Sequence, residues 1–211
     1  KEVDGIDAPN WNLVNNILFC KKNSHRCAGL KLYCYLCRHK LVFGHNIQIK
    51  LMIKVNKVAS YIYNRYLEEF KETVSEMKLH KLLYFTQRES LIQTGNPMFK
   101  ESFLAWRYGP VLTEIRDCYT NKEFDDMPTE DFIKDNLGIF DFVFSYYAPK
   151  DAWSLSRLTH GEYSWIHARG NSLPNQSCNT PLAIEDIRKD AERIKLRRFL
   201  IQEIQKEKKT C

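Results

Sequence analysis

The stretch TVSEMKLHKLLYFTQRESLIQTGNP, Thr73 to Pro97, decides the fold. Leu79, Leu82, Leu83, Thr86 and Ser90 recur at the three- and four-residue spacings of one helix face, with small residues at its far end. Thr73 followed three residues later by Glu76 has the form of a capping box. Hydroxyl and carboxylate would each satisfy a backbone N–H of the first turn, so the helix is expected to start there. Gly95 can take left-handed angles and Pro97 cannot continue a helix, so the pattern predicts a stop between them.

The neighbouring stretches extend this reading in both directions. Upstream, Val55, Val58, Ala59, Ile62, Tyr66 and Phe70 make one apolar face, which predicts a helix from about Val55 to Phe70. Downstream, Phe99, Phe103, Ala105 and Arg107 alternate with Lys100, Leu104, Trp106 and Tyr108, as in an extended segment that could be one arm of a small sheet. Gly109-Pro110 breaks that segment, and Pro110 is expected to open the next helix at its first position, with Val111, Leu112, Ile115 and Tyr119 on the apolar side. Asn121 to Thr129 is polar and reads as a loop. Leu137, Phe140, Val143, Phe144 and Tyr147 form another helical face that ends near Pro149. Asp151 is placed to cap a helix through Leu158. Gly170 to Pro181 holds little that can pack and reads as a loop. A last helix begins at Ile184 or Glu185, with Ile187, Ala191, Ile194, Ile201 and Ile204 on one face and Arg188, Lys189, Arg193, Lys195, Arg197 and Arg198 crowded around it. The expected fold is mainly α: a compact bundle of about six helices with a short extended segment or small β element around residues 97–108.

The 211 residues suffice for one sizeable core, or one core with a small appendage. An apolar fraction of 44% with 12 Phe, 11 Tyr and 4 Trp argues for a packed globule rather than disorder. No run of apolar residues is long enough for a membrane span, and Ile17 to Phe19 is too short for a signal-peptide core, so no membrane and a cytoplasmic location are expected. The net charge of +6 hides a division. Residues 1–57 carry 10 Lys/Arg against 3 Asp/Glu, residues 58–187 carry 13 against 19, and residues 188–211 carry 9 against 4. An acidic body repels phosphate, so nucleic acid could be met only through the basic ends. Basic ends also arise as a solvated tail and a solvated helix face.

The first Met is Met52, and a helical pattern starts just after it. Residues 1–51 hold no persistent period, which leads to the expectation that they are read-through of an upstream region or a mis-called gene start, and that residues 52–211 form the domain with its basic C-terminal helix. The rival reading is a small zinc module. Cys34-x-x-Cys37 can supply one pair of thiolates, but Cys20 and Cys27 stand six residues apart, outside the usual ligand spacing, and His25, His39 and His45 would have to substitute. The count of seven Cys is odd and three are isolated, which fits reduced thiols rather than a disulfide framework.

Three ordered blocks carry a resemblance. Lys78-Leu79-His80-Lys81-Leu82-Leu83-Tyr84-Phe85 resembles the opening signature of the Panacea (SocA-like) antitoxin family, departing from it at His80, where Gln is usual. Ala105-Trp106-Arg107-Tyr108-Gly109-Pro110-Val111 is similar to the family's second block, and Gly95-Asn96-Pro97-Met98-Phe99 to the stretch between. Leu155-Ser156, Leu158-Thr159-His160, Glu162 and Trp165 resemble the third. The resemblance covers roughly residues 52 to 188. It implies an antitoxin that neutralises a cognate toxin protein by direct contact. The alternative that it admits is an adaptor that delivers a toxin to a bacterial protease, or a phage-associated interaction protein with no toxin partner. A DNA-binding autoregulator would use the basic ends, and no helix-turn-helix pattern is present.

Seven residues are candidates for partner contact. Trp106 and Tyr108 share a face of an alternating segment. Either both rings fill the core beside Gly109, as such rings commonly do, or both are presented as interface anchors. His160 and Glu162 invite a catalytic reading, and a metal could take His160, Glu162 and His167. Two residues apart they do not share a helix face, so Glu162 is better placed to cap the short segment carrying Trp165, with His160 hydrogen-bonded to backbone. Arg193 and Arg197 represent the basic face of the last helix. No nucleophile, phosphate-binding loop or complete metal set accompanies these residues, so neither catalysis nor a cofactor is expected.

Overall fold

The computed structural model describes residues 52–209, apart from Pro174 and Ser177. The expectations placed on residues 1–51, including zinc at Cys20, Cys27, Cys34 and Cys37, lie outside the described residues. The described residues form eight helices: α1 (Val55–Phe70), α2 (Glu76–Thr94), α3 (Thr113–Asn121), α4 (Glu130–Asp135), α5 (Leu137–Tyr146), α6 (Ala152–His160), α7 (Tyr163–Arg169) and α8 (Ile184–Lys209). The class is mainly α, as expected, with more helices than the six anticipated. No helix among the described residues is long and apolar enough to cross a membrane.

The bundle is built around α2, which packs against α1, α3, α5, α6 and α8. The expected leucine stripe is buried, and so is every other residue from Leu79 to Ile92. That includes His80, Lys81, Gln87, Arg88 and Glu89. Buried polar groups persist only where hydrogen bonds replace those to water. Gln87 meets this condition through backbone: its Nε2 donates to Phe99 O (2.7 Å), and its Oε1 accepts from Met98 N (2.8 Å) and Phe99 N (3.3 Å). One amide thus fixes the extended segment along the central helix.

α1 spans the predicted residues, with Val55, Val58, Ala59, Ile62 and Tyr66 buried. Gly95 ends α2 at φ 76°, its N–H donating to Leu91 O (3.1 Å). Asp151 caps α6 by accepting from Ser154 N (2.9 Å). Three local expectations are corrected. The capping box fails: α2 begins at Glu76 behind Ser75, and no side chain caps it. Pro110 does not open α3, because Val111 is first held in an antiparallel bridge to Leu104, and the helix starts at Thr113. Ile201 and Ile204, placed on the packed face of the last helix, are exposed. The small β element consists of isolated bridges from Leu104 to Val111 and Pro181, with Ala105 N donating to Thr180 O and Leu182 N to Phe103 O. Buried Phe99, Phe103 and Ala105 alternate with more exposed neighbours along it.

Candidate partner-binding surface

The segment Ala105–Pro110 is held by its carbonyl oxygens. Arg169 donates to Ala105 O (3.0 Å) and Trp165 Nε1 to Trp106 O (3.0 Å). His160 is hydrogen-bonded to the Arg107 backbone. Ser156 Oγ donates to Tyr108 O (2.8 Å) and Lys81 Nζ to Pro110 O (3.0 Å). Four of these donors come from α6 and α7 and the fifth from α2. His160 also stacks on Trp165, centroids 4.2 Å apart, which braces two clamps against each other.

Clamping is closest at Gly109, with φ 102°. A Cβ there would stand 2.5 Å from Thr159 Oγ1 and 2.7 Å from Lys81 Cε. Only glycine fits both the angle and the space. Burial lowers the Lys81 ammonium to about 7. Its neighbour His80 accepts from Leu112 N (3.4 Å) and is pushed down to about 3, by burial first and then by Lys81 and Arg116.

With its backbone held inward, the segment turns side chains outward. Tyr108 is 44% exposed and meets Trp153, 57% exposed, edge to face at 5.5 Å. The Arg107 guanidinium lies 4.9 Å from the Tyr108 ring, and Arg116 lies 5.2 Å from the half-buried Trp106 ring. Aromatic rings with arginines over them are the side chains that interface hot spots favour.

Behind this surface lies a buried ionic network. Arg88 bonds Glu162 and the Tyr147 hydroxyl, all three buried. Arg193 reaches Glu162 Oε2 (3.1 Å) and Asp190 Oδ1 (3.3 Å). Burial pushes the Glu162 carboxyl up to about 7, against the pull of Arg88 and with the push of Asp190. Asp190 also accepts from Tyr163 N (2.8 Å) and Ser164 N (2.9 Å), so a carboxylate of α8 caps α7. Glu162 therefore does not cap that helix with its side chain, as the sequence reading proposed, because the carboxylate is turned into the core toward Arg88.

Residues 79–166 match the family model described as Antitoxin SocA-like, Panacea domain. Over those residues the chain is similar to a Panacea domain. A 47-residue stretch is 36% identical to "Antitoxin SocA" of Caulobacter vibrioides (strain NA1000 / CB15N), covering 22% of this chain and 25% of that relative. The chain thus spans a quarter of the length of the curated relative it matches. No solved structure matches it.

The fold brings four of the seven candidate residues together: Trp106, Tyr108, His160 and Trp165 form the clamped surface and its support. Tyr108 is not the core filler that its place beside Gly109 favoured, because the clamped carbonyl forces the ring outward. Glu162 and Arg193 join in the ionic network instead, and Arg197 is exposed on α8. His160 and His167 do not converge with Glu162 on a metal, and among the described residues no group of three His, Cys, Asp or Glu side chains could hold one. Trp153 and Arg116 belong to none of the sequence blocks. Trp153 could have been found from its place off the Leu155–Thr159 face of α6, since a large ring there has no core to enter.

Proposed function

We propose that this chain is an antitoxin that neutralises a cognate toxin by direct protein contact and performs no catalysis. The observation that carries the reading is the clamped segment: five side chains fix its backbone, so Trp106, Arg107 and Tyr108 meet a partner already ordered. Preorganised aromatic anchors bind without the cost of ordering flexible side chains. The match to an antitoxin family and to a protein named for that role supports the same reading.

The test is co-expression with the product of the adjacent gene. That product alone should arrest growth, and this chain should restore it while the toxin's abundance stays constant, which separates direct inhibition from delivery to a protease. Replacing Tyr108 and Trp153 together by Ala should abolish the rescue and change the melting temperature little, since both rings lie at the surface and pack mainly on each other. A neighbour that is harmless alone removes the antitoxin reading for this chain.

A further inference from the structure

α8 has two unlike sides. Ile187 and Ala191 are buried and Ile194 packs on the core. On that side Arg198 forms two 2.9 Å bonds to Glu89 and lies 4.1 Å from the Phe142 ring. The other side carries Leu196, Leu200 and Ile204, which are 40%, 41% and 52% exposed. Residues four apart advance only about 40° around a helix, so these three make one slanting ridge. Arg193 and Arg197 fall between them on the same side. Arg193 is tied at the root of the ridge to Glu162 and Asp190. Arg197 is exposed and has no ion-pair partner among the described residues.

We propose that this ridge is a second docking element, seated in an apolar groove of the toxin whose rim sets a carboxylate opposite Arg197; the inference rests on the antitoxin reading above. Aliphatic anchors at four-residue steps are the pattern by which one helix enters a groove on another protein. Charge selects the occupant. Residues 193–209 hold seven Lys/Arg against two Glu, so two copies of this helix repel each other and an acidic rim attracts it. Phosphates offer nothing to three aliphatic side chains at the centre of the ridge. The ridge lies outside the family match at residues 79–166, where surface that selects one toxin among many would be expected to lie.

The experiment uses the full chain, the product of the adjacent gene, and two variants, Leu200→Glu with Ile204→Glu, and Arg197→Glu. All three positions are exposed, so circular dichroism and thermal melting should match the unaltered chain. The unaltered chain should bind and neutralise. The double variant should bind about a hundredfold more weakly, as two lost aliphatic anchors require, and the Arg197 variant about tenfold more weakly with a flatter salt dependence. If the unaltered chain neutralises and the double variant does so equally well, the ridge proposal falls and the antitoxin reading stands. If the unaltered chain fails to neutralise, both fall. Three controls name the other occupants: the solution mass of the chain alone, binding to phosphatidylglycerol vesicles, and binding to short duplex DNA. Self-association, vesicle binding or DNA binding that the double variant abolishes would each overturn the proposal.

Discussion

Replacing Gly109 by Ala tests the meeting point of the three sequence blocks. Two costs follow from the geometry. An L-residue at φ 102° bears the penalty of left-handed backbone, about 1–2 kcal/mol. The new Cβ would stand 2.5 Å from Thr159 Oγ1 and 2.7 Å from Lys81 Cε, and overpacking of that kind costs about 1–3 kcal/mol. Neither neighbour can retreat cheaply: Thr159 Oγ1 donates to Ser156 O (2.8 Å), and buried Lys81 donates to Pro110 O. The sum, about 2–5 kcal/mol, is a large share of the roughly 5–15 kcal/mol that holds a domain together. Urea unfolding followed by circular dichroism would read it as a lowered midpoint at unchanged slope. Pairing the change with Thr159→Ala removes the nearest atom, so the double variant should be about 1 kcal/mol more stable than the two single losses added together. A loss below about 1 kcal/mol for Gly109→Ala would refute the reasoning, because backbone angle and crowding together cannot cost so little.

Other perturbations probe the remaining features. His80 has a folded pKa near 3 against 6.5, so the unfolded chain binds the extra proton between those values, and the stability His80 contributes is present above pH 6.5 and lost as pH falls toward 3. His80→Gln should make urea unfolding less acid-sensitive by about 2–3 kcal/mol between pH 7 and 4.5, and an unchanged pH profile would remove His80 as the cause. Arg88→Met leaves the buried Glu162 carboxylate only its contact with the exposed Arg193 and should cost about 3–5 kcal/mol, whereas Arg88→Met with Glu162→Leu should recover most of it; equal instability of the two variants would count against the buried pair as its origin.

What could be read locally depended on where each residue's partner lies. α1 was legible to the residue because its face is uniformly apolar and neighbours of similar spacing cover it. Gly95 and Asp151 were legible because a cap acts within a few residues. The burial of α2 on all sides was not, because Lys81, Arg88 and Glu89 carry charge off the leucine stripe and their partners stand 29, 74 and 109 residues away. α4 was missed because none of its residues is buried, so no stripe marks it. For the site, Trp106, Tyr108, His160 and Trp165 were named from the blocks, yet the direction in which the rings point followed from carbonyl clamps that no spacing reveals. Thr73 lost the capping position to Ser75 because the helix starts two residues later than the box requires.

The carboxylate of Asp190 completes the first turn of α7 from 27 residues further along the chain. During synthesis, Tyr163 and Ser164 leave the ribosome well before the group that satisfies their amides, and Trp165 and Arg169 are placed on the Ala105–Trp106 carbonyls by the helix those amides begin. In a chain that stops short of residue 190, two of the five clamps, Trp165 and Arg169, would stand on a helix without its cap. The Ala105–Trp106 end of the clamped segment is therefore completed only once α8 has been made, which ties its order to the far end of the domain.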